Sequence, residues 1–278
     1  MATNDADRLH DSVNKVSVGR VYDYLLDGVH NYAVDQQFAE EQLRKLPEIR
    51  DFAQANRAFL GRAVRGAVEM GIRQFVDIGS GLPTQGNVHE VAEEQAPGEC
   101  RVVYIDNEPI ARAHAEILLE KTADPDRHRA LDADFFDADQ LWQQVLDTGL
   151  IDTREPVALL VVALLHFMPP DTDPGRTLSY YRDRLPAGSV LALSHIHVDP
   201  DDTEIQAASA SVTESYRRQA NNPAMPRSRA EIAEFFDGLE LVEPGLVWLP
   251  QWRPEGHEQH RDQPHRSRGL AGLARKNP

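Results

Sequence analysis

The spacing of hydrophobic positions gives the first 70 residues one pattern and the rest of the chain another. In this first part, apolar residues recur every three or four positions, the period of an amphipathic helix. The spacing predicts helices over Val16–Leu26, over Asp35–Leu46 and, with Pro47 at the first turn, over Glu48–Met70. The polar residues 1–15 are predicted to be a loose lead-in. Three helices are therefore expected before the first strand.

From Arg73 onward, short apolar runs alternate with helical stretches. Strands are predicted at Phe75–Ile78, Arg101–Ile105, Ala130–Leu131, Pro156–Leu165 and Ser189–Ile196. Helices are predicted at Asn87–Gln95, Pro109–Lys121, Asp139–Asp147 and Thr177–Leu185. This alternation indicates an α/β fold with a mostly parallel sheet and helices on both faces. The unbroken apolar run at 156–165 is typical of a central strand that is buried on both faces.

The last third of the chain is less regular. Residues 201–236 are predicted to form helices with a break at Asn221-Asn222-Pro223, and as an insertion after the fifth strand they could cover the substrate end of a pocket. Residues 244–268 are rich in Pro, Trp and charge, and predict a long exposed loop or hairpin with solvated histidines. Those histidines are His257, His260 and His265.

The charge of the chain narrows the choice of partners. With 45 acidic and 29 basic residues the formal net charge is −16, whereas proteins that bind nucleic acids or anionic membranes usually present a basic surface. No apolar run is long enough to cross a bilayer, and residues 1–10 lack the apolar core of a signal peptide. Cys100 is the only cysteine, so no internal disulfide forms. We therefore expect a cytoplasmic protein without a nucleic-acid or membrane partner.

Chemistry-bearing residues follow the predicted strands, where parallel sheets bind ligands. Gly79 and Gly81 form a tight turn after Asp77, and glycine allows a ligand to approach the backbone closely, with turn amides as candidate donors. Asp106 ends the second strand, at a spacing suited to accepting both hydroxyls of a ribose. Asp134 follows the third strand and could accept from an exocyclic amine. Each of these aspartates could instead cap a helix or brace a turn.

Histidines also lie near the ends of the fourth and fifth strands. His166 is a candidate general base, although a histidine held in the core or against the cofactor is the more frequent situation. His195 and His197, with Asp199, match no common metal-binding motif. We therefore predict no metal site.

These motifs together resemble the class I S-adenosylmethionine (SAM) methyltransferases. More narrowly, the chain resembles an actinobacterial family of proposed SAM methyltransferases that was first catalogued as a domain of unknown function. The resemblance extends over nearly the whole chain. It is carried by Arg20–Gly28, Ala55–Leu60, Phe75–Pro83, Val103–Pro109, Ala163–Phe167 and Gly272–Lys276.

The resemblance implies a Rossmann-like sheet of seven strands, mostly parallel, with an antiparallel last strand. Leu239–Val242 and Leu270–Ala274 would then be the last two strands. It also implies a helical extension or lid at 1–71 and a SAM-binding domain at 72–278, which together form one compact unit.

The resemblance also assigns roles to individual residues. Gly79, Ser80 and Gly81 would lie against the methionine part of SAM, and Asp77 would orient the turn or reach the amino group through water. Asp106 would bind the ribose, with Asn107 beside it. Asp134 would take the adenine amine, with Phe135 next to the base. Pro83 stands where many class I enzymes have a third glycine.

Two residues of the predicted lid are candidates for the same cofactor. Arg57 would pair with the SAM carboxylate, and Tyr22 would flank the adenine or the sulfonium, because a cation favours an aromatic face. Alternatively, both residues pack the helices against the sheet.

Three functions are compatible with these residues. The first is SAM-dependent methylation of a small-molecule acceptor. The second is an NAD-dependent oxidoreductase, which the Thr84 found at the third glycine position disfavours. The third is a SAM-binding protein without catalysis, with a regulatory or scaffolding role.

Overall fold

The computed structural model describes residues 14–82, 86–122, 124–199, 201–220, 222–256 and 258–277. Pro83, Thr84, His257 and most of the predicted lead-in lie outside these ranges. The helices are α1 Val18–Leu25, α2 Ala33–Lys45, α3 Glu48–Glu69, α4 Val88–Gln95, α5 Pro109–Thr122, α6 Ala138–Asp147, α7 Pro174–Arg184, α8 Thr203–Gln219 and α9 Arg229–Glu234. The strands are β1 Gln74–Ile78, β2 Arg101–Asp106, β3 His128–Asp132, β4 Val157–Val162, β5 Val190–Ile196, β6 Glu240–Leu241, β7 Val247–Trp248 and β8 Gly269–Arg275.

One sheet organises the described residues. Its order is β3-β2-β1-β4-β5-β8-β6, and β7 pairs with β8 beside this path. The first five strands are mutually parallel, and β8 runs antiparallel to β5, as the sequence predicts. There are eight strands instead of seven because β6 and β7 share the free edge of β8. They are separated by a turn at Pro244, a residue that has no N–H to donate to the ladder.

Helices cover both faces of the sheet, which confirms the prediction. Side chains of successive strand residues point to opposite faces, so Phe75 and Val76 belong to different cores. Phe75 packs with α3 and α4, and Val76 packs with α6, α7 and α9. The third predicted helix, α3, is therefore a covering layer of the sheet.

A third apolar cluster joins α1 and α2 to α8. Val21 and Leu25 of α1 and Phe38 of α2 pack with Val212 and Tyr216 of α8. The edge of the Phe38 ring meets the Tyr216 ring at a centroid distance of 4.9 Å. This cluster holds the N-terminal helices against the segment that follows β5.

The segment 244–268 differs from the predicted exposed loop. Leu249 and Trp252 are fully buried, and Arg62 of α3 donates to their backbone carbonyls at 2.7 Å each. His265 is exposed as expected, whereas His260 lies 3.0 Å from a carboxylate oxygen of Asp51. The segment is thus anchored to α3 by one aromatic residue and one arginine. No helix in the described ranges is long and apolar enough to span a membrane.

Candidate functional site

A cavity of about 750 Å³ opens at the carboxyl ends of β1, β2 and β4. Every residue that the sequence analysis assigned to the cofactor lines it. These residues are Tyr22, Arg57, Asp77, Gly79, Ser80, Gly81, Asp106, Asn107, Asp134 and Phe135. They converge because parallel strands bring their carboxyl ends to the same edge of the sheet.

The glycine turn after β1 is tied to the end of β2. Gly79 and Gly81 have φ angles of +73° and +64°, a region that favours glycine. The amides of Gly79 and Ser80 donate to the carbonyl of Ile105 at 2.8 and 3.1 Å, and the amide of Gly81 donates to Asp106 at 2.8 Å. The turn amides predicted as ligand donors are therefore already paired inside the protein. What the turn offers a ligand is space.

Gly79 is also required for steric reasons. A β-carbon placed there would lie 2.6 Å from Cδ1 of Leu164, which follows β4 and lines the same cavity. No such obstacle lies within 4 Å of a β-carbon at Gly81. The turn after β1 and the turn after β4 thus touch each other at Gly79.

Asp106 braces this arrangement with both of its carboxylate oxygens. Oδ2 accepts from the amide of Gly81 at 2.8 Å, and Oδ1 accepts from the amide of Glu108 at 2.9 Å. Burial raises the pKa of the Asp106 carboxyl to about 6, and these two amides oppose the rise. A carboxylate has about four acceptor positions, so acceptor capacity beyond these backbone amides is left for a ligand in the cavity.

Asp77 differs from Asp106 in having no hydrogen bond from any described residue to its side chain. It is buried at the end of β1, and this burial raises its pKa to about 7. The positive charge of Arg57 opposes the rise, and the carboxylate of Asp106 adds to it. A cationic group entering the cavity would favour the ionised form of Asp77.

The adenine candidates follow β3, which runs over His128–Asp132 where the sequence predicts only Ala130–Leu131. Asp134 lines the cavity, and the neighbouring Asp132 and Asp137 are not among its lining residues. Oδ1 of Asp134 accepts from the amide of Phe136 at 2.8 Å, which fixes the side chain in a local turn. Phe135 is buried beside it.

Tyr22, Asn56 and Arg57 bring α1 and α3 to the same cavity. The Tyr22 hydroxyl donates to the carbonyl of Ala53 and accepts from Asn56 at 2.8 Å. The Arg57 guanidinium lies over the Tyr22 ring, 5.6 Å from its centroid. Its Nε is buried and has no hydrogen-bond partner. A buried N–H of this kind, at the wall of a cavity, is available to an anionic ligand.

Asn56 is a lining residue that the sequence analysis did not select. It is buried, and its side-chain oxygen accepts from the hydroxyl of Ser194 on β5. The sequence signal that could have identified Asn56 is the presence of an asparagine within the apolar stripe of α3. A buried side-chain amide requires polar partners, so such a residue indicates a specific hydrogen-bonding role.

The N-terminal helices are fastened to the site by Arg20. Arg20 and Asp35 form a fully buried ion pair at 2.6 Å, and Nη1 of Arg20 lies 3.5 Å from the carboxylate of Glu108. Glu108 follows the ribose candidate Asp106 by two residues. The ion pair therefore connects α1, α2 and the turn after β2.

His166 lies outside the set of residues that line the large cavity. The strand predicted to reach Leu165 ends at Val162, because Ala163 turns the chain with a φ of +55° and donates to Ser194. His166 follows in a 3₁₀ turn and lines a smaller cavity of about 90 Å³. It is buried, and this burial lowers its pKa well below the usual value.

His195 and His197 are held by protein contacts. Nε2 of His195 accepts from Arg227 at 2.7 Å, its Nδ1 lies 2.7 Å from the carbonyl of Ile196, and Nδ1 of His197 lies 2.8 Å from the carbonyl of Arg227. Within the described ranges, no group of three or more His, Cys, Asp or Glu side chains is arranged to bind a metal.

The chain matches a family model described as S-adenosyl methyltransferase over residues 3–277. Two solved structures are similar over nearly their full length. One is a candidate methyltransferase from Thermobifida fusca, with 33% identity, 96% of this chain and 97% of that chain covered, and a TM-score of 0.85. The other is a DUF574 family protein from Streptomyces avermitilis, with 34% identity, 95% and 99% covered, and a TM-score of 0.87.

A more distant structure shares the fold. It is an O-methyltransferase family protein from Burkholderia thailandensis, with 12% identity, 98% of this chain and 68% of that chain covered, and a TM-score of 0.55. No curated protein matches the chain. These matches confirm the resemblance drawn from the sequence and give no support to an NAD-dependent function. The chain belongs to the S-adenosyl methyltransferase family.

Proposed function

We propose that this SAM-dependent methyltransferase acts on a small-molecule acceptor and that the residues around the large cavity hold the cofactor. Family membership establishes the enzyme class and SAM. The observation that carries the site assignment is the convergence of all ten predicted cofactor residues on one cavity of about 750 Å³. This volume falls in the range usual for cofactor and small-molecule sites.

The chemistry of the lining residues fits SAM. Asp106 has acceptor capacity beyond that used by the Gly81 and Glu108 amides, which a ribose hydroxyl pair can use. Arg57 offers its buried, unpaired Nε–H to the carboxylate of the methionine part. Asp77, with no hydrogen bond of its own in the described structure, suits the ammonium group.

Aromatic groups lie at both ends of the proposed cofactor position. Phe135 is buried beside Asp134, where it can pack against the adenine. Tyr22 has its hydroxyl fixed by Ala53 and Asn56, which leaves its ring face for the sulfonium or the adenine.

The proposed lid, residues 1–71, contributes the segment before α3 to the cavity wall. Lys15, Val16, Ser17, Val18 and Gly19 line the cavity, and a β-carbon at Gly19 would lie 3.9 Å from Cα of Gly81. The start of α1 therefore passes directly over the glycine turn. From the other side, Gln219, Ala220 and Asn222 of the insertion after β5 complete the wall.

Bound SAM supplies an activated methyl group on a sulfonium leaving group. The protein's task is then to align the acceptor with that methyl group and to keep water out. The net charge of −16 disfavours a polyanionic acceptor such as nucleic acid. A cavity of about 750 Å³ that is walled partly by helices suits an acceptor of small size.

Calorimetric titration with SAM, S-adenosylhomocysteine and NAD tests the proposal. We expect binding of both adenosyl ligands and none of NAD. Arg57→Met retains the length of the side chain and removes the guanidinium, so we expect it to weaken S-adenosylhomocysteine roughly 10- to 100-fold.

A ligand without the methionine carboxylate provides the matched control. Methylthioadenosine should bind the parent and Arg57→Met equally. Equal losses for both ligands would show that Arg57 supports the fold instead of the carboxylate. Absence of S-adenosylhomocysteine binding by the parent would refute the cofactor assignment.

A further inference from the structure

A second, smaller cavity lies beneath the N-terminal helices. It has a volume of about 90 Å³ and is lined largely by apolar side chains from α1, α3 and α8, among them Leu25, Phe52 and Val212. No residue of the glycine turn, and neither Asp77 nor Asp106, lines it. Of the ten proposed cofactor residues Tyr22 alone lines it, so the other nine do not account for this cavity.

The small cavity adjoins the large one. Val18, Tyr22, Ala163 and Phe167 line both. Ala163 is the residue that turns the chain after β4, and its neighbour Leu164 packs against Gly79. The two cavities thus meet beside the turn that is proposed to hold the methionine part of SAM.

Two buried polar atoms in this wall lack a hydrogen-bond partner, Nδ1 of His166 and Nε of Arg268. Nδ1 of His166 has no hydrogen bond, and the imidazole is packed between Phe52 and Phe167, with ring centroids 5.7 and 4.3 Å away. Leaving a buried polar atom unpaired costs about 1–3 kcal/mol. A ligand hydroxyl can recover this cost with either tautomer of the ring, because a hydroxyl both donates and accepts.

The charges of the remaining polar residues are balanced within the protein, although Nε of Arg268 is free to donate a hydrogen bond to a neutral acceptor. Arg268 lies 3.3 Å from Glu48 and 3.6 Å from Asp202, so two carboxylates match its charge. Burial raises the pKa of the Tyr216 phenol and keeps it uncharged. A charged ligand group would have to be desolvated there without a counter-ion.

We infer that the small cavity is the acceptor subsite and that it takes the apolar ring or alkyl part of an uncharged acceptor, whose hydroxyl group pairs with His166. The atom that receives the methyl group then extends past Ala163 and Phe167 into the large cavity. This inference rests on the proposed function, since it places the acceptor relative to the proposed cofactor site. His166 acts in it as the group that anchors the substrate.

The size of the cavity limits the buried part of the acceptor. An engineered apolar cavity of about 150 Å³ accommodates benzene. At about 90 Å³, this cavity encloses an alkyl group or part of one ring. The rest of the acceptor lies between the residues that line both cavities.

The test uses the full-length protein saturated with S-adenosylhomocysteine, and phenol, benzene and benzoate as probes in ligand-observed NMR titrations. We expect phenol and benzene to bind and benzoate not to bind. His166→Leu should weaken phenol about 2- to 10-fold, as loss of one hydrogen bond predicts, and leave benzene unchanged. Equal binding of benzoate and phenol, or equal losses of phenol and benzene, would overturn the inference.

Filling the cavity provides the second arm. Ala224 lines only the small cavity, so Ala224→Leu should weaken phenol and benzene at least tenfold and leave S-adenosylhomocysteine within twofold of the parent. Ala210→Leu adds the same side chain at an exposed position of α8 and should change neither. Ser209→Leu repeats the test from another wall, should Ala224→Leu fail to fold.

The two hypotheses fail in different ways. If the parent does not bind S-adenosylhomocysteine, the cofactor assignment is refuted. If it does, and phenol binds Ala224→Leu and Ser209→Leu as well as it binds the parent, the large cavity alone holds the acceptor and the inference is wrong.

Discussion

Substitution of Asp106 distinguishes a mainly structural role of its carboxylate from a role mainly in ligand binding. The structure gives its carboxylate two backbone amide partners, Gly81 and Glu108, and a pKa that burial raises to about 6. If the residue mainly braces the turn, Asp106→Asn should destabilise the protein. If it mainly serves the ribose, the variant should lose ligand binding and keep its stability.

The magnitude follows from the raised pKa. The shift from 3.8 to about 6 is roughly two units, or about 3 kcal/mol of free energy spent on ionising the buried carboxyl. Because Asp106 is partly exposed to solvent, we discount this to about 1–2 kcal/mol. Asparagine removes that cost and loses one amide contact worth about 1 kcal/mol. The unliganded variant should therefore unfold within about 1 kcal/mol of the parent at pH 7.5.

The affinity for the ligand should fall much more strongly than the stability in the Asp106→Asn variant. Two hydroxyl contacts to a carboxylate, at about 1.5–3 kcal/mol each, give a loss of at least 100-fold in affinity for S-adenosylhomocysteine. Thermal unfolding and calorimetry on the same preparations measure both quantities. A fall in melting temperature of more than about 10 °C together with lost binding would refute the reasoning, because the carboxylate would then be a brace.

The pH dependence of binding gives an independent check. In the proposed site the ionised carboxylate of Asp106 binds the ribose, so the affinity for the ligand should fall as the pH drops below the pKa of this carboxyl in the free protein. With a pKa of about 6, the Asp106 step should weaken binding about tenfold between pH 7 and pH 5. Asp77, with a pKa of about 7, adds a second step in the same direction. The Asp106→Asn variant should show only the Asp77 step, and an unchanged pH profile would contradict the assignment.

Two further substitutions test the turn and the lid. Gly79→Ala should lower the free energy of unfolding by roughly 2–4 kcal/mol and weaken the binding of S-adenosylhomocysteine, because its methyl group would lie 2.6 Å from Leu164. Gly149→Ala is the control, since Gly149 has a φ of +69° and a β-carbon there would have no atom within 4 Å. It should cost only about 1 kcal/mol in the same denaturant titrations. Equal costs would remove the steric argument. Arg20→Met leaves the buried Asp35 carboxylate without its cationic partner and should cost about 3–5 kcal/mol. Much of this cost should be recovered by the double variant Arg20→Met, Asp35→Asn, because asparagine removes the charge and keeps an acceptor for the amides of Ser17 and Tyr32. A cost below 1 kcal/mol for the single variant would show that this ion pair does not fasten the lid.

The sequence predicted the sheet and the grouping of the candidate cofactor residues around one cavity because both follow from local patterns. Alternating strand and helix signals imply a parallel sheet, and a parallel sheet brings its strand ends to one edge. Asp77, Asp106 and Asp134 are far apart in sequence, but each lies within two residues of the carboxyl end of a strand. Their convergence on one cavity needed no knowledge of tertiary contacts.

The path of the chain after β4 was not predictable in this way. An apolar run from 156 to 165 has no internal signal for its end, and alanine rarely adopts the positive φ seen at Ala163. That conformation accompanies a hydrogen bond to Ser194 on the neighbouring strand. The position of His166 depends on this contact, which is why its strand-end placement was misleading. The burial of Trp252 could not be predicted for a similar reason, because it depends on the tertiary contact between Trp252 and Phe59.

The glycine turn shows why a structural role and a ligand role need not exclude each other. From the sequence, Asp106 is either a brace or a ribose ligand, and the turn amides are candidate donors. In the structure those amides donate hydrogen bonds to Ile105 and Asp106, so the turn is held in this conformation before a ligand binds. Because the carboxylate has acceptor positions to spare, the same group that fixes the turn can also receive the ribose. The geometry of the turn is thus set in the free protein, so ligand binding does not carry the entropic cost of ordering the turn.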